Sequence, residues 1–466
     1  MQSIHGVDRL TEISAQLDVL SEFAANLDVE QLSPEILQTA KACLLYGLAV
    51  GVGTRHARPA LLATAASQAA EGCNGGPATR LHDGIRTSVG NAVFANAVLL
   101  SGRVQGDSHI CGHPGGVIIP AALAAIEQAK ETGGALLASI VAGYEVALRI
   151  GRDHVSDINR RGFRATPVYG VFGAAAAISR ARRLDAGRIR NCIGMAVNFA
   201  GGLREYVDAG TEESPFQAGF AARNATHIVD LIELGLDAAP SGLSGPAGFY
   251  QAYGSASRDD YGARIADELG KQFEFTNLTL KRYPACQFVR AVIRGVAALR
   301  TQSDDSQPER IVLRLNSYEA NFVGMRFAGP FRTSAQTVMS APFCAALAWL
   351  YGTATFQDLR SFDNVVVNRL SQRVEVIADD TRPLFDPVVT VVLEGGQVLE
   401  WTSQADPATD QVSWSAAVEM TYQLYDEVGV SKSMADEIIA CIQEIDHSST
   451  IDPLINHVCK ATRSDS

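Results

Sequence analysis

Phe172-Gly173-Ala174-Ala175-Ala176-Ala177 lies inside a segment, 168–182, whose apolar residues keep the helical period and whose faces are crowded with alanine and glycine. Side chains this small let helices approach closely. The same period predicts helices at 88–101, 117–130, 135–151, 188–200 and 218–234. Upstream, Leu17, Leu20, Phe23, Ala24 and Leu27 form one stripe, and Ser33-Pro34-Glu35 reads as an N-cap followed by a first-turn proline, opening a helix through Val50. From about residue 10 to 265 the pattern is that of an all-α helical bundle rather than repeated βαβ units.

The pattern changes near Gln272. Arg310 to Tyr318 alternates as a strand; Val374–Ile377, Val389–Leu393 and Val398–Trp401 are β-branched or apolar, and Glu394-Gly395-Gly396 reads as a hairpin turn. A helix is predicted at roughly 336–351 between these strands, and two more at 414–426 and 434–445. The expected architecture is therefore mostly α: a large helical domain from 1–268 and 406–466, with a smaller α+β domain, 269–405, inserted before the C-terminal helices.

The chain has 466 residues, enough for two cores, with 47% apolar and 19% charged residues. Its formal charge is −12 and it has no Lys/Arg-rich run, which disfavours nucleic acid and anionic membranes as partners. The eight cysteines form no CxxC pair, which fits reduced thiols in the cytoplasm. Met1–Leu20 does not read as a signal peptide, and the longest apolar run, Ala42–Val52, is too short to span a bilayer. A soluble protein is expected.

Chemistry-bearing residues gather in four places. Asp107-Ser108-His109-Ile110-Cys111-Gly112-His113-Pro114-Gly115-Gly116 puts two of the nine histidines, a cysteine and an aspartate in a turn before an apolar helix. Three readings stand: a zinc site, a polar turn capping the helix, or an acid/base and anion site. The Gly/Pro context argues against His-x3-His ligation from one helix face. Lys281-Arg282-Tyr283-Pro284-Ala285-Cys286 sets two cations before a rigid turn; Arg282 would fork a carboxylate, and Cys286 would have a lowered pKa and act as a base, unless the pair is surface charge and the cysteine is core. Arg160-Arg161-Gly162-Phe163-Arg164 resembles an anion clamp ahead of a helix, or plain solvated charge. In Gly210-Thr211-Glu212-Glu213-Ser214-Pro215-Phe216-Gln217, Ser214 or Thr211 is expected to cap the next helix. No nucleotide-binding or nucleophile-elbow motif is present.

In this order and with these flanks the clusters resemble the MmgE/PrpD family, which includes 2-methylcitrate dehydratases, cis-aconitate decarboxylases and iminodisuccinate epimerase. The likeness rests on His113-Pro114-Gly115 with Ile119-Pro120-Ala121-Ala122-Leu123-Ala124 and Glu127, on Ala142-Gly143-Tyr144-Glu145 with Arg149-Ile150, on the Phe172–Ala177 run, on Lys281-Arg282-Tyr283-Pro284-Ala285, and on Arg382-Pro383-Leu384 with Asp386-Pro387. It implies a discontinuous helical domain, an α+β lid, a homodimer, no cofactor, and an active site in the cleft between domains. Departures are informative. Arg103 stands where an acid is expected, leaving only Asp107. Arg164 replaces a histidine, Ser214-Pro215-Phe216-Gln217 lacks a lysine and a histidine, and Cys286 replaces a histidine.

Loss of those groups weakens a dehydratase reading, because expelling hydroxide needs a placed general acid worth about 10²–10⁴-fold. What survives suits removal and return of a proton beside a carboxylate, as in the epimerase branch. The expected catalytic residues are His113, Cys286 and Lys281. Arg282, Arg164, Arg103, Tyr283, His109, Tyr144 and Asp107 are expected to contact a small carboxylate substrate, iminodisuccinate in the favoured reading. A hydro-lyase and a non-catalytic carboxylate-binding protein are the alternatives.

Overall fold

In the computed structural model, which describes residues 4–71, 75–255, 258, 260–304, 306–403 and 411–464, the Ser33 hydroxyl accepts from the Ile36 amide and Pro34 opens the Pro34–Thr54 helix, as its sequence predicts. Against it pack Val89–Ser101, Gly115–Ala129 and Gly133–Gly151, and Ala165–Ala181 and Ser214–Glu233 pack in turn on those helices. Close approach is achieved where Gly143 crosses Gly173. A Cβ on either would stand 2.7 or 2.6 Å from the other's carbonyl oxygen, so these helices meet backbone to backbone. One apolar core runs through these helices and takes in Trp414–Glu427, Lys432–Gln443 and Asp452–Thr462 from the other end of the chain.

A second core lies under a four-stranded sheet ordered Val374–Asp379, Pro308–Asn316, Val388–Leu393, Val398–Thr402. The first pair is parallel and the other two are antiparallel. Helices Arg290–Arg300 and Ala341–Tyr351 contribute its remaining apolar side chains. Gly395 and Gly396, both at positive φ, make the expected hairpin turn. Mostly α with a small mixed sheet is thus the observed class. Phe275, Leu278 and Leu280 belong to the first core and Ala285 to the second, so the chain passes from one core to the other between Leu280 and Ala285. The point of return expected at 406 lies outside the described residues.

Several local expectations change. The helix expected at 336–351 is broken into Ser334–Thr337 and Ala341–Tyr351, because Ser340 caps a new start with Pro342 in its first turn. The segment 188–200 is helical only over Ala186–Ala196, then tightens into a short 3₁₀ turn. Ser214 is not a cap but the first helical residue, behind Glu213. Pro34–Thr54 and Gly133–Gly151 are each long and apolar enough to cross a membrane; the first is 78% and the second 100% buried inside the protein, so both serve as core helices. The described cysteines are free thiols, and Cys73 lies outside the described residues.

Candidate active site

A three-residue ladder joins the two most polar sequence clusters. Gly106–Ser108 pairs antiparallel with Thr279–Lys281, setting Gly106 opposite Lys281 and Asp107 opposite Leu280. Ser108 Oγ also donates to Gln287 Oε1 at 2.5 Å. His113 and Cys286 are thereby brought to the wall of one cavity of about 170 Å³, which both cores line. Three helices begin at residues of this wall, Gly115, Ala165 and Ser214.

His113 is held from below. Its Nδ1–H donates to the Asp107 carbonyl at 2.9 Å, which leaves Nε2 as the basic nitrogen. Burial, reinforced by the nearby Lys281 and Arg164 charges, holds its pKa well below the ordinary imidazole range. At neutral pH the ring is therefore an uncharged base. The Asp107 carboxylate accepts from the Gly115 amide at 3.0 Å with one oxygen and 3.2 Å with the other. Burial raises its pKa to about 6. Gly115 has no room for a side chain: a Cβ would sit 2.3 Å from Tyr144 Oη and 2.6 Å from Asp107 Oδ1.

Cys286 departs from expectation. Its thiol is buried, and burial pushes its pKa up despite the neighbouring Lys281 and Arg290 charges. It is a protonated donor at neutral pH, not a thiolate base. Lys281 is the reverse case. Its fully buried ammonium donates to the Val104 carbonyl, and burial, aided by Arg290 and Arg164 and opposed by Cys286, brings it down to about 7. A lysine at that value can give or take a proton near neutrality.

Other expected site residues are placed differently. Arg164 lines the cavity, with Nη1 donating to the Ser214 carbonyl at 2.6 Å. Arg160 and Arg161 do not join it; one pairs with Asp157 and the other donates to the Ala252 carbonyl. Arg103 is not among the residues that line the cavity. It is buried, forks onto Glu427 at 2.8 and 2.9 Å, donates to Gln105, and lies over the Phe356 ring. With its donors spent on this tie between distant segments, it cannot hold a substrate carboxylate. Arg282 is exposed and donates to Glu419 and Gln423 on the Trp414–Glu427 helix. Tyr283 packs half-buried against the second core. His109 contacts Glu274 through Nε2 at 3.2 Å and accepts from the Cys111 amide, so it braces the turn. Tyr144 lies wholly buried beneath the cavity floor, its hydroxyl beside Asp107 and Cys43.

Arg204, Tyr206, Tyr318 and Phe322 also line the cavity and carried no signal in the sequence. Arg204, in Gly201-Gly202-Leu203-Arg204, falls six residues short of the Gly210–Gln217 cluster, so only the folded chain reveals it.

The profile of the MmgE/PrpD N-terminal domain matches residues 18–261. Cis-aconitate decarboxylase of Homo sapiens is 27% identical over 241 residues, covering 48% of each chain. Cis-aconitate decarboxylase-like protein oryM of Aspergillus oryzae is 30% identical over 218 residues, 44% of each. Cis-aconitate decarboxylase of Aspergillus terreus is 25% identical over 298 residues, covering 60% of this chain and 59% of its own. The chain spans about half the length of the curated relatives it matches. The profile covers the helical region that carries His113, Arg164 and Arg204, and on that ground the chain belongs to the MmgE/PrpD family.

Proposed function

We propose that the protein is a cofactor-independent enzyme that removes and returns a proton at a carbon beside a carboxylate, on a small dicarboxylate such as iminodisuccinate. The reading is carried by one arrangement: an uncharged His113 with Nε2 free, sharing a cavity with a protonated Cys286 thiol and with Arg164. His113 takes the α-proton. Arg164 and the three helix starts stabilise the charge that spreads onto the carboxylate oxygens. Cys286 or Lys281 then delivers a proton to the other face. The expected metal-free, cofactor-free chemistry, the homodimer and a cytoplasmic location belong to this proposal.

The test is solvent exchange. In deuterium oxide the α-carbon of iminodisuccinate is expected to acquire deuterium only when the protein is present, and a His113 variant is expected to lose that exchange. Absence of exchange with the wild-type chain would sink the epimerase reading. The names of the relatives favour a second reading, a lyase acting on an unsaturated tricarboxylate. Release of carbon dioxide from cis-aconitate, without exchange in recovered iminodisuccinate, would select it.

Lys281 gives a separate expectation. Unfolded, its amine titrates near 10.5; folded, near 7. Between these values folding expels a proton, so the buried ammonium costs stability in full below about pH 7 and nothing above about pH 10.5. Lys281→Met is expected to raise the urea midpoint at pH 6.5 and to approach the wild-type midpoint at pH 10. It is also expected to remove the limb near pH 7 from the kcat/KM profile. Equal midpoint shifts at both pH values would show that the lysine is not titrating in place.

A further inference from the structure

Phe163 and Leu203 form an isolated antiparallel bridge, closed by Arg164 N–H to Gly202 O and Arg204 N–H to Gly162 O, each 2.9 Å. Phe163 stacks on Tyr253 and Leu203 is exposed, whereas Arg164 and Arg204 both enter the cavity. The residues directly across from them are Gly202 and Gly162, so no side chain stands between.

Arg204 is braced rather than satisfied. It donates to the Asn159 carbonyl and lies 4.6 Å over the Phe322 ring, yet its Nε is buried with no partner. Among the described residues neither Arg164 nor Arg204 has a carboxylate within ion-pair distance. Two adjacent cations without counter-charge, in a wall already built from helix N-termini, repel each other until anions arrive.

We propose that Arg164 and Arg204 form a two-cation clamp that takes both carboxylates of one substrate, and that Arg204 imposes the requirement for the second carboxylate. The inference deepens the reading of the cavity as a carboxylate site and rests on it. It selects dicarboxylates over monocarboxylates of the same length. Planar forks with fixed donor directions also disfavour Lys at either position.

Calorimetric titration tests it with two inert probes, succinate and butanoate, at one fixed ionic strength. Wild-type protein is expected to bind succinate more tightly than butanoate. Losing one charge-assisted pair should weaken succinate about 10–100-fold in Arg204→Gln, and butanoate no more than about threefold. Arg204→Lys, which retains the charge and the seat over Phe322, is expected to fall between and serves if the glutamine variant does not fold. The clamp is overturned if wild type does not prefer succinate, if Arg204→Gln weakens both probes alike, or if it weakens neither. Preference for succinate that depends on Arg204, without turnover of any dicarboxylate, would leave the clamp standing and remove the proton-transfer reading.

Discussion

His113→Ala is expected to lower kcat/KM by about 10²–10⁴-fold, the range for loss of a placed general base, and to leave the fold intact. The ring donates one hydrogen bond, Nδ1–H to the Asp107 carbonyl, and otherwise faces the cavity. Its removal therefore costs only about 0.5–1.5 kcal/mol of stability, the usual net worth of one hydrogen bond. Loss of activity should not be recovered by raising pH, because the wild-type imidazole is already neutral through the working range. Added imidazole should restore part of it by occupying the vacated space. A His113→Ala protein whose rate stays near wild type at every pH would place the base elsewhere, with Lys281 first in line.

Arg149→Ala is expected to produce the largest loss of stability, about 3–5 kcal/mol, because it strands a buried carboxylate. Arg149 and Glu145 are a helical pair at 2.7 Å with side chains 1% and 0% exposed. The same guanidinium donates to the Ile265, Asp267 and Gln272 carbonyls, fastening the approach to the ladder strand. Glu145 in turn accepts from the Phe275 amide. Once Arg149 is gone, Glu145 must protonate or draw water into a dry core. The signature is a urea midpoint that falls sharply at pH 8 and recovers partly at pH 5, where the carboxyl can take a proton. Equal losses at both pH values would indicate that the missing carbonyl contacts, not the stranded charge, dominate. In that case Glu145→Gln added to Arg149→Ala should give no relief.

The helices of the larger core were legible because period and size spoke together: Leu17 through Leu27 is a buried stripe, and the Gly and Ala residues of 168–182 permit the crossing at Gly143 and Gly173. Strand pairing was legible where a turn marked it, at Gly395-Gly396. The Gly106–Ser108 and Thr279–Lys281 ladder was not, since three residues are too few to show alternation. Among site residues, His113 was legible from its neighbours, Asp107 and the glycines. Arg103 and Arg282 misled because type alone does not reveal a partner. Glu427 and Glu419 lie hundreds or more than a hundred positions downstream, and each claims one of these cations. The Cys286 expectation erred on magnitude: two nearby cations do not outweigh full burial of a thiolate.

The short ladder also makes the proposed site depend on both cores. Ser108 and Thr279 lie 171 residues apart in the chain, yet their strands pair. Closing so long a loop carries an entropic cost that three pairs of residues cannot offset alone, so the ladder is held by the cores on either side. On the proposed reading, His113 comes from one side of this seam and Lys281 and Cys286 from the other, so a substitution that loosens either core is expected to lower activity without touching the cavity.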